Sequence, residues 1–148
     1  MGETMQSFST QEIGRIFALR LDPGDYVLES ILDLVKKENL KDAVVISGIG
    51  TLDHCILHMV MTTGYPSVQH FAHWENKPLE LAHIGGIIAN GEPHLHAVVS
   101  DSEKAYSGHL EKGCRVLYLA EVAIVELLSM RLTRVYDDRH ILRLTSTS

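Results

Sequence analysis

The sequence predicts an α+β domain in which one amphipathic helix packs on a mostly antiparallel, twisted β-sheet. Two observations carry this prediction. Only one stretch of the 148 residues repeats its apolar positions at three- and four-residue spacing, whereas eight or nine stretches are β-branched, or alternate apolar with polar, between turn residues. Nothing resembling a repeat, a low-complexity block or a Pro/Gly/Ser linker divides the chain. A single domain over residues 11–143 is therefore expected, with flexible ends at 1–10 and 144–148.

Taken in order, Glu12 to Leu21 alternates as a first strand, and Asp22-Pro23-Gly24-Asp25 is a turn from which Asp25 would cap the helix. In the helix, Val27, Leu28, Ile31, Leu32 and Val35 form one apolar stripe, while Asp33, Lys36, Lys37 and Glu38 fall opposite and Asn39 stops it. This stripe is read as core packing. Strands follow at Ala43 to Ile49, Asp53 to Met61, Val68 to Trp74 and Pro78 to Ile88, with Gly48, Gly50, Gly64, Gly85, Gly86 and Gly91 as turns or bulges between them. Pro93 to Ser100 and Ala105 to Leu110 read as a hairpin, Arg115 to Leu128 as a long strand, and Thr133 and Ile141 mark two short final strands. The long strand is apolar on both faces over most of its length, which is either a central strand under the helix or one covered by a second subunit.

Charge and cysteine content narrow the function classes. With 13 basic and 19 acidic residues the net charge is −6, and Lys36-Lys37 is the only adjacent basic pair. Phosphate backbones are held by clustered Lys and Arg, so direct nucleic-acid binding is not expected. Cys55 and Cys114 are the only cysteines and each lies in an apolar stretch, so reduced buried thiols and a cytoplasmic setting are expected. No apolar run approaches the ~18 residues that span a bilayer.

The chemistry concentrates in the hairpin from Pro93 to Leu110. Alternate strand residues share a face, so His94 and His96 point the same way. The polar turn Asp101-Ser102-Glu103-Lys104 pairs Ser100 with Ala105, Val98 with Ser107 and therefore His96 with His109. Directly opposed Cβ atoms lie ~4.5–5.5 Å apart and diagonal ones ~7–8 Å, which brings His94 within reach of His109 as well. Three imidazoles with an open fourth position are the ligand set of a catalytic-type zinc site, although imidazole also suits iron, nickel, copper and cobalt. Gly108 and Gly113 are expected to leave room for the ion or a small molecule. A one-residue slip of register would turn His109 to the opposite face. Of the other histidines, His54 and His58 fall in a different segment beyond the glycines, and His70, His73 and His83 read as core or surface groups. Glu121 is a lone carboxylate in the apolar stretch Leu119 to Ala123. It is read either as a group that holds a ligand histidine or carries its protons, or as one half of an ion pair with an arginine.

Several stretches together resemble the plants and prokaryotes conserved (PPC) domain family: Leu79-Glu-Leu-Ala-His-Ile-Gly-Gly-Ile-Ile, Gly91-Glu-Pro-His-Leu-His-Ala-Val-Val-Ser-Asp, Gly108-His109-Leu110 and Ala120-Glu121-Val122. The earlier Val45-Ile-Ser-Gly-Ile-Gly50 fits too, and the resemblance runs from about Gly14 to Leu128. It implies a sheet-rich fold assembling as a homotrimer, and a histidine pattern of the kind that stand-alone prokaryotic members retain. In plants the domain follows a DNA-binding AT-hook and mediates contacts with nuclear proteins. This chain carries no Arg-Gly-Arg hook and has Ile84-Gly-Gly-Ile-Ile-Ala in place of the plant Gly-Arg-Phe-Glu-Ile-Leu element. It also has Ser107-Gly108-His109 where members often have Gly-Gly-His. The combined expectation is a homotrimeric protein binding a divalent metal, zinc foremost, through His94, His96 and His109, with Glu121 as proton carrier and a small-molecule ligand near the ion. The alternative is a non-catalytic, DNA-associated or regulatory assembly module acting through protein partners.

Overall fold

The computed structural model describes residues 5–147. Eight strands and one helix follow in the order β1 (Ile13–Leu21), α1 (Val27–Lys37), β2 (Ala43–Val60), β3 (Gln69–Ala89), β4 (Glu92–Ser100), β5 (Ala105–Leu110), β6 (Arg115–Leu127), β7 (Leu132–Tyr136) and β8 (Leu142–Ser146). All the pairings are antiparallel. Six strands form one sheet in the order β1-β6-β2-β3-β4-β5, and β7 and β8 form a separate hairpin. The sheet also closes on itself, because β5 pairs back onto β2 through Leu57↔Leu110 and His58↔His109. Strands β2 to β5 therefore make a small barrel, and β6 and β1 extend from the first half of β2.

The helix forms where the apolar stripe predicts it. Val27, Ile31 and Val35 are buried, and Lys36 and Lys37 lie at its C-terminal end, where positive charge complements the helix dipole. Asp25 does not cap it. The N-cap is Tyr26 with no side-chain cap bond, while the Asp25 carboxylate accepts instead from the backbone N–H of Asp22 at 2.8 Å. The turn consumes the carboxylate that would have capped the helix. Asn39 stops the helix with φ +50.

Four stretches read as separate strands are in fact two long ones. Ala43 to Ile49 and Asp53 to Met61 are the two halves of β2, and Val68 to Trp74 and Pro78 to Ile88 those of β3. Glycine acts here as a bulge former. The register of β2 against β6 shifts between Val45 and Ser47 and again between Gly50 and Leu52. Gly50 has φ +154, and a Cβ there would lie 2.3 Å from the carbonyl oxygen of Leu119, so the strand bends without ending. This continuity carries the second half of β2 round to β5.

Twenty-three apolar side chains form one core, among them Leu52, Leu57, Ile84, Ile88, Leu95, Val99, Leu110 and Ile124. Cys55 and Cys114 are within it as free thiols, Sγ to Sγ 3.9 Å. The one buried charged residue among the described residues, Asp42, is satisfied by the N–H groups of Asn90 at 3.1 Å and Leu132 at 3.2 Å, tying β2 to the β3–β4 turn and to β7. Strand β8 runs to Ser146, beyond the expected boundary at 143, and Thr10 bonds the carbonyl of Leu128 at 2.7 Å. Of the ends read as flexible, residues 1–4 and 148 lie outside the described residues. No helix among the described residues is long and apolar enough to cross a membrane.

Candidate metal centre

The hairpin of β4 and β5 has the register that the turn dictates. Ser100 pairs with Ala105, Val98 with Ser107 and His96 with His109. Asp101 fixes this turn, its Oδ1 accepting from the N–H of Glu103 and of Lys104, both at 2.8 Å. Leu95, Ala97, Val99 and Leu110 alternate into the core, which forces His94, His96 and His109 onto the outer face. Their ring centres are 5.4 Å apart for His94 and His96, 5.1 Å for His94 and His109, and 5.7 Å for His96 and His109.

A fourth imidazole joins them. His58 of β2 pairs with His109 across the closing seam, and the two rings stack at 4.4 Å with planes 18° apart. Glu111, just past β5, presents Oε1 to both rings, 2.5 Å from His58 Nδ1 and 3.0 Å from His109 Nδ1. The donor atoms of His58, His109 and Glu111 all lie within 4.8 Å of one another, close enough to hold a metal ion. His109 Nδ1 is buried and satisfied by no well-aligned hydrogen bond despite the nearby carboxylate. Phe71 of β3 covers the far side of His58 at 5.1 Å.

The surroundings disfavour protonation of two of these rings, His94 and His109. Partial burial pushes the His94 imidazole below its ordinary value, and the neighbouring charges of His109, Arg134, His96 and His58 push it the same way. His109 is likewise lowered, first by burial and then by His58, against the opposing pull of Glu111. A neutral imidazole has a lone pair to give, and one that is hard to protonate keeps it at mildly acidic pH.

Two site expectations are corrected. Glu121, read as a lone carboxylate in an apolar strand, is exposed: Ala120 and Val122 alternate into the core and Glu121 faces out. It sits opposite Arg20 and Ile49, in a groove of about 430 Å³ on the outer face of β1, β2 and β6. Its strand partners are Arg20 of β1 and Ile49 of β2, and among the described residues it makes none of the ring or ion-pair contacts that tie the histidine cluster together. No ion pair joins it to Arg20, whose guanidinium turns to Asp22 at 3.0 Å. The carboxylate beside the rings is Glu111. Gly108, expected to make room for an ion, makes room for β2 instead: a Cβ there would meet the carbonyl oxygen of His58 at 2.6 Å.

His58 and Glu111 escaped the sequence reading for different reasons. Finding His58 required knowing that β2 continues past its glycines. Glu111 was legible, because it follows His109 by two and alternation puts it on the same face.

A small antiparallel barrel bearing four imidazoles and one carboxylate at its seam is a protein with a donor set suited to a divalent cation. The chain belongs to the Plants and Prokaryotes Conserved (PCC) domain family, whose model matches residues 8–128. Its fold is similar to that of the metal-containing protein from Archaeoglobus fulgidus, with a TM-score of 0.77 at 22% identity over 93% of this chain and 96% of that one. The plant- and prokaryote-conserved protein of Pyrococcus horikoshii is similar as well, with a TM-score of 0.76 at 22% identity, covering 99% of both chains. A bifunctional GlmU protein of Synechococcus is 27% identical over 124 residues, 83% of this chain but only 18% of that protein's length.

Proposed function

We propose that this chain is a divalent-metal protein in which His94, His96 and His109 hold the ion, zinc foremost, and Glu111 orients His109. The observation that carries this reading is the triangle of ring centres at 5.1, 5.4 and 5.7 Å. With Zn–N near 2.0–2.1 Å, a bound imidazole centres about 3 Å from the ion, and tetrahedral placement spaces such centres by about 5 Å. These rings are also inclined to one another by 35–69°, as convergent ligands must be. The short contacts around Glu111 favour a second seat, shared by His58, His109 and Glu111. Glu111 already occupies the point that the Nδ1 atoms of His58 and His109 share, so we read this set as the one that orients His109, in the way a carboxylate commonly holds the second nitrogen of a ligand histidine.

The chemistry the ion would supply is a bound water made acidic enough to act near neutral pH, suited to hydrolysis or hydration of a small molecule. The protein's part is to hold the three rings on two rigid strands and to disfavour protonation of His94 and His109. A homotrimer is part of the same reading. It is supported by the apolar side chains that β1, β2 and β6 leave in solvent, among them Ile16, Ile46, Ile49 and Leu119.

Elemental analysis of protein purified without an affinity tag tests the centre. About one ion per chain is expected, and the double variant His96→Ala/His109→Ala should carry almost none. Stoichiometric metal in that variant would refute the site. Loss on His58→Ala together with retention on His94→Ala would move the ion to the second seat.

A further inference from the structure

Arg134 stands beside the histidine cluster with no acid to neutralise it. It comes from β7, and its two terminal nitrogens donate to the carbonyl oxygens of Glu92 and Ile87, both at 2.8 Å. Ile87 is the residue paired opposite His94, and Glu92 lies two residues before it in β4. The guanidinium is thus clamped at the rim of the site, and its charge is felt by the His94 ring. Arg15, Arg20, Arg115 and Arg143 each hold a carboxylate. Among the described residues Arg134 forms no ion pair; the Glu92 carboxylate attracts it only at longer range. Both of its acceptors are neutral, so a partly buried positive charge is left uncompensated, which costs free energy that an anion would return. A guanidinium has five N–H groups, and these two bonds use two of them. The rest form a planar fork matched to the paired oxygens of a carboxylate or phosphate.

We propose that Arg134 is an anion-recognition residue of the histidine site, and that the small molecule bound there carries a carboxylate or a phosphate. This rests on the metal reading above: an ion on His94, His96 and His109 and the guanidinium beside His94 present two positive centres to one ligand. The anchoring bonds to Ile87 and Glu92 hold the fork still, so little order is lost when an anion arrives.

The test uses the full chain loaded with Co(II), whose visible spectrum reports its ligands, titrated with acetate, with inorganic phosphate and with neutral acetamide. Saturable spectral change is expected from acetate or phosphate and not from acetamide, and the tighter of the two anions identifies the chemistry. Arg134→Met should take up cobalt as the wild type does and bind the anion at least tenfold more weakly, with Arg134→Lys between them. A cobalt-loaded wild type that responds to neither anion overturns the proposal, and so does an Arg134→Met protein that binds as tightly as wild type. Thermal melting of metal-free protein separates the two failures. If no cobalt is taken up, a rise in Tm with acetate or phosphate that Arg134→Met abolishes sustains the anion site alone, and the absence of that rise removes it.

Discussion

Glu111 illustrates how much rests on one side chain at the residue scale. Its Oε1 lies against both His58 and His109. Groups that orient a ligand imidazole typically govern metal affinity by 10–100-fold. Glu111→Gln should therefore weaken zinc binding by about that factor while leaving Tm within a few degrees, as competition with a chromogenic chelator would show. An unchanged affinity would remove Glu111 from the centre. The depressed imidazoles of His94 and His109 also fix the sign of a pH effect. Their pKa values are lower folded than unfolded, so below the ordinary imidazole value of about 6.5 the unfolded chain takes up protons first. Metal-free protein should lose stability as pH falls through that value and level off once the folded rings protonate too. Urea melts at pH 7.5 and 5.5 measure this, and equal midpoints would contradict it.

Among the elements, the β4–β5 hairpin and helix α1 were legible in the sequence because each is specified locally. Four polar residues at 101–104 fix the hairpin register, and the stripe from Val27 to Val35 fixes the buried face of the helix. The course of β2 was not legible. Gly48 and Gly50 carry the same local signal whether the strand ends or bulges, and only the partner strands β6 and β5 decide the matter. Hence His58, 51 residues from His109 in the chain, appeared to belong elsewhere. Glu121 failed for the opposite reason, since apolar neighbours on both sides gave no sign of which face meets solvent. The close approach of β2 to β5 has a testable cost. In Gly108→Ala the new methyl would press on the carbonyl of His58 at 2.6 Å, and the backbone must move to accept it. A destabilisation of about 1–3 kcal/mol in urea melts is expected, typical of overpacking, together with weaker metal uptake. A variant as stable as the wild type would show that β2 and β5 are not pressed together there.

For the molecule as a whole, the fold class, the single domain and the family were all readable, because they follow from the periodicity and motifs of nearly the entire chain. The assembly was not, since one chain cannot tell a central strand from an interface strand. Leu119 is 49% exposed and Ile49 is 47% exposed, on the outer face of the adjacent strands β6 and β2. Burying such a face against another copy is favourable, and charging it is not. Ile49→Asp should convert a trimer to monomers by light scattering at micromolar concentration, while the circular dichroism of the monomer remains unchanged. A wild type that runs as a monomer would dispose of the trimer.

The barrel shuts through the pairs Leu57↔Leu110 and His58↔His109, helped by the Glu111 N–H donating to the Ile56 carbonyl at 3.2 Å, and one of the pairs is itself a histidine pair. The clasp of the fold and the gathering place of the imidazoles are thus the same few atoms. Unzipping β5 from β2 would part His58 from His109, while His94, His96 and His109 would stay together on their own hairpin. An ion on His109 would in turn steady the strand that Glu111 and His58 tie across the seam, binding the folded form and stabilising it.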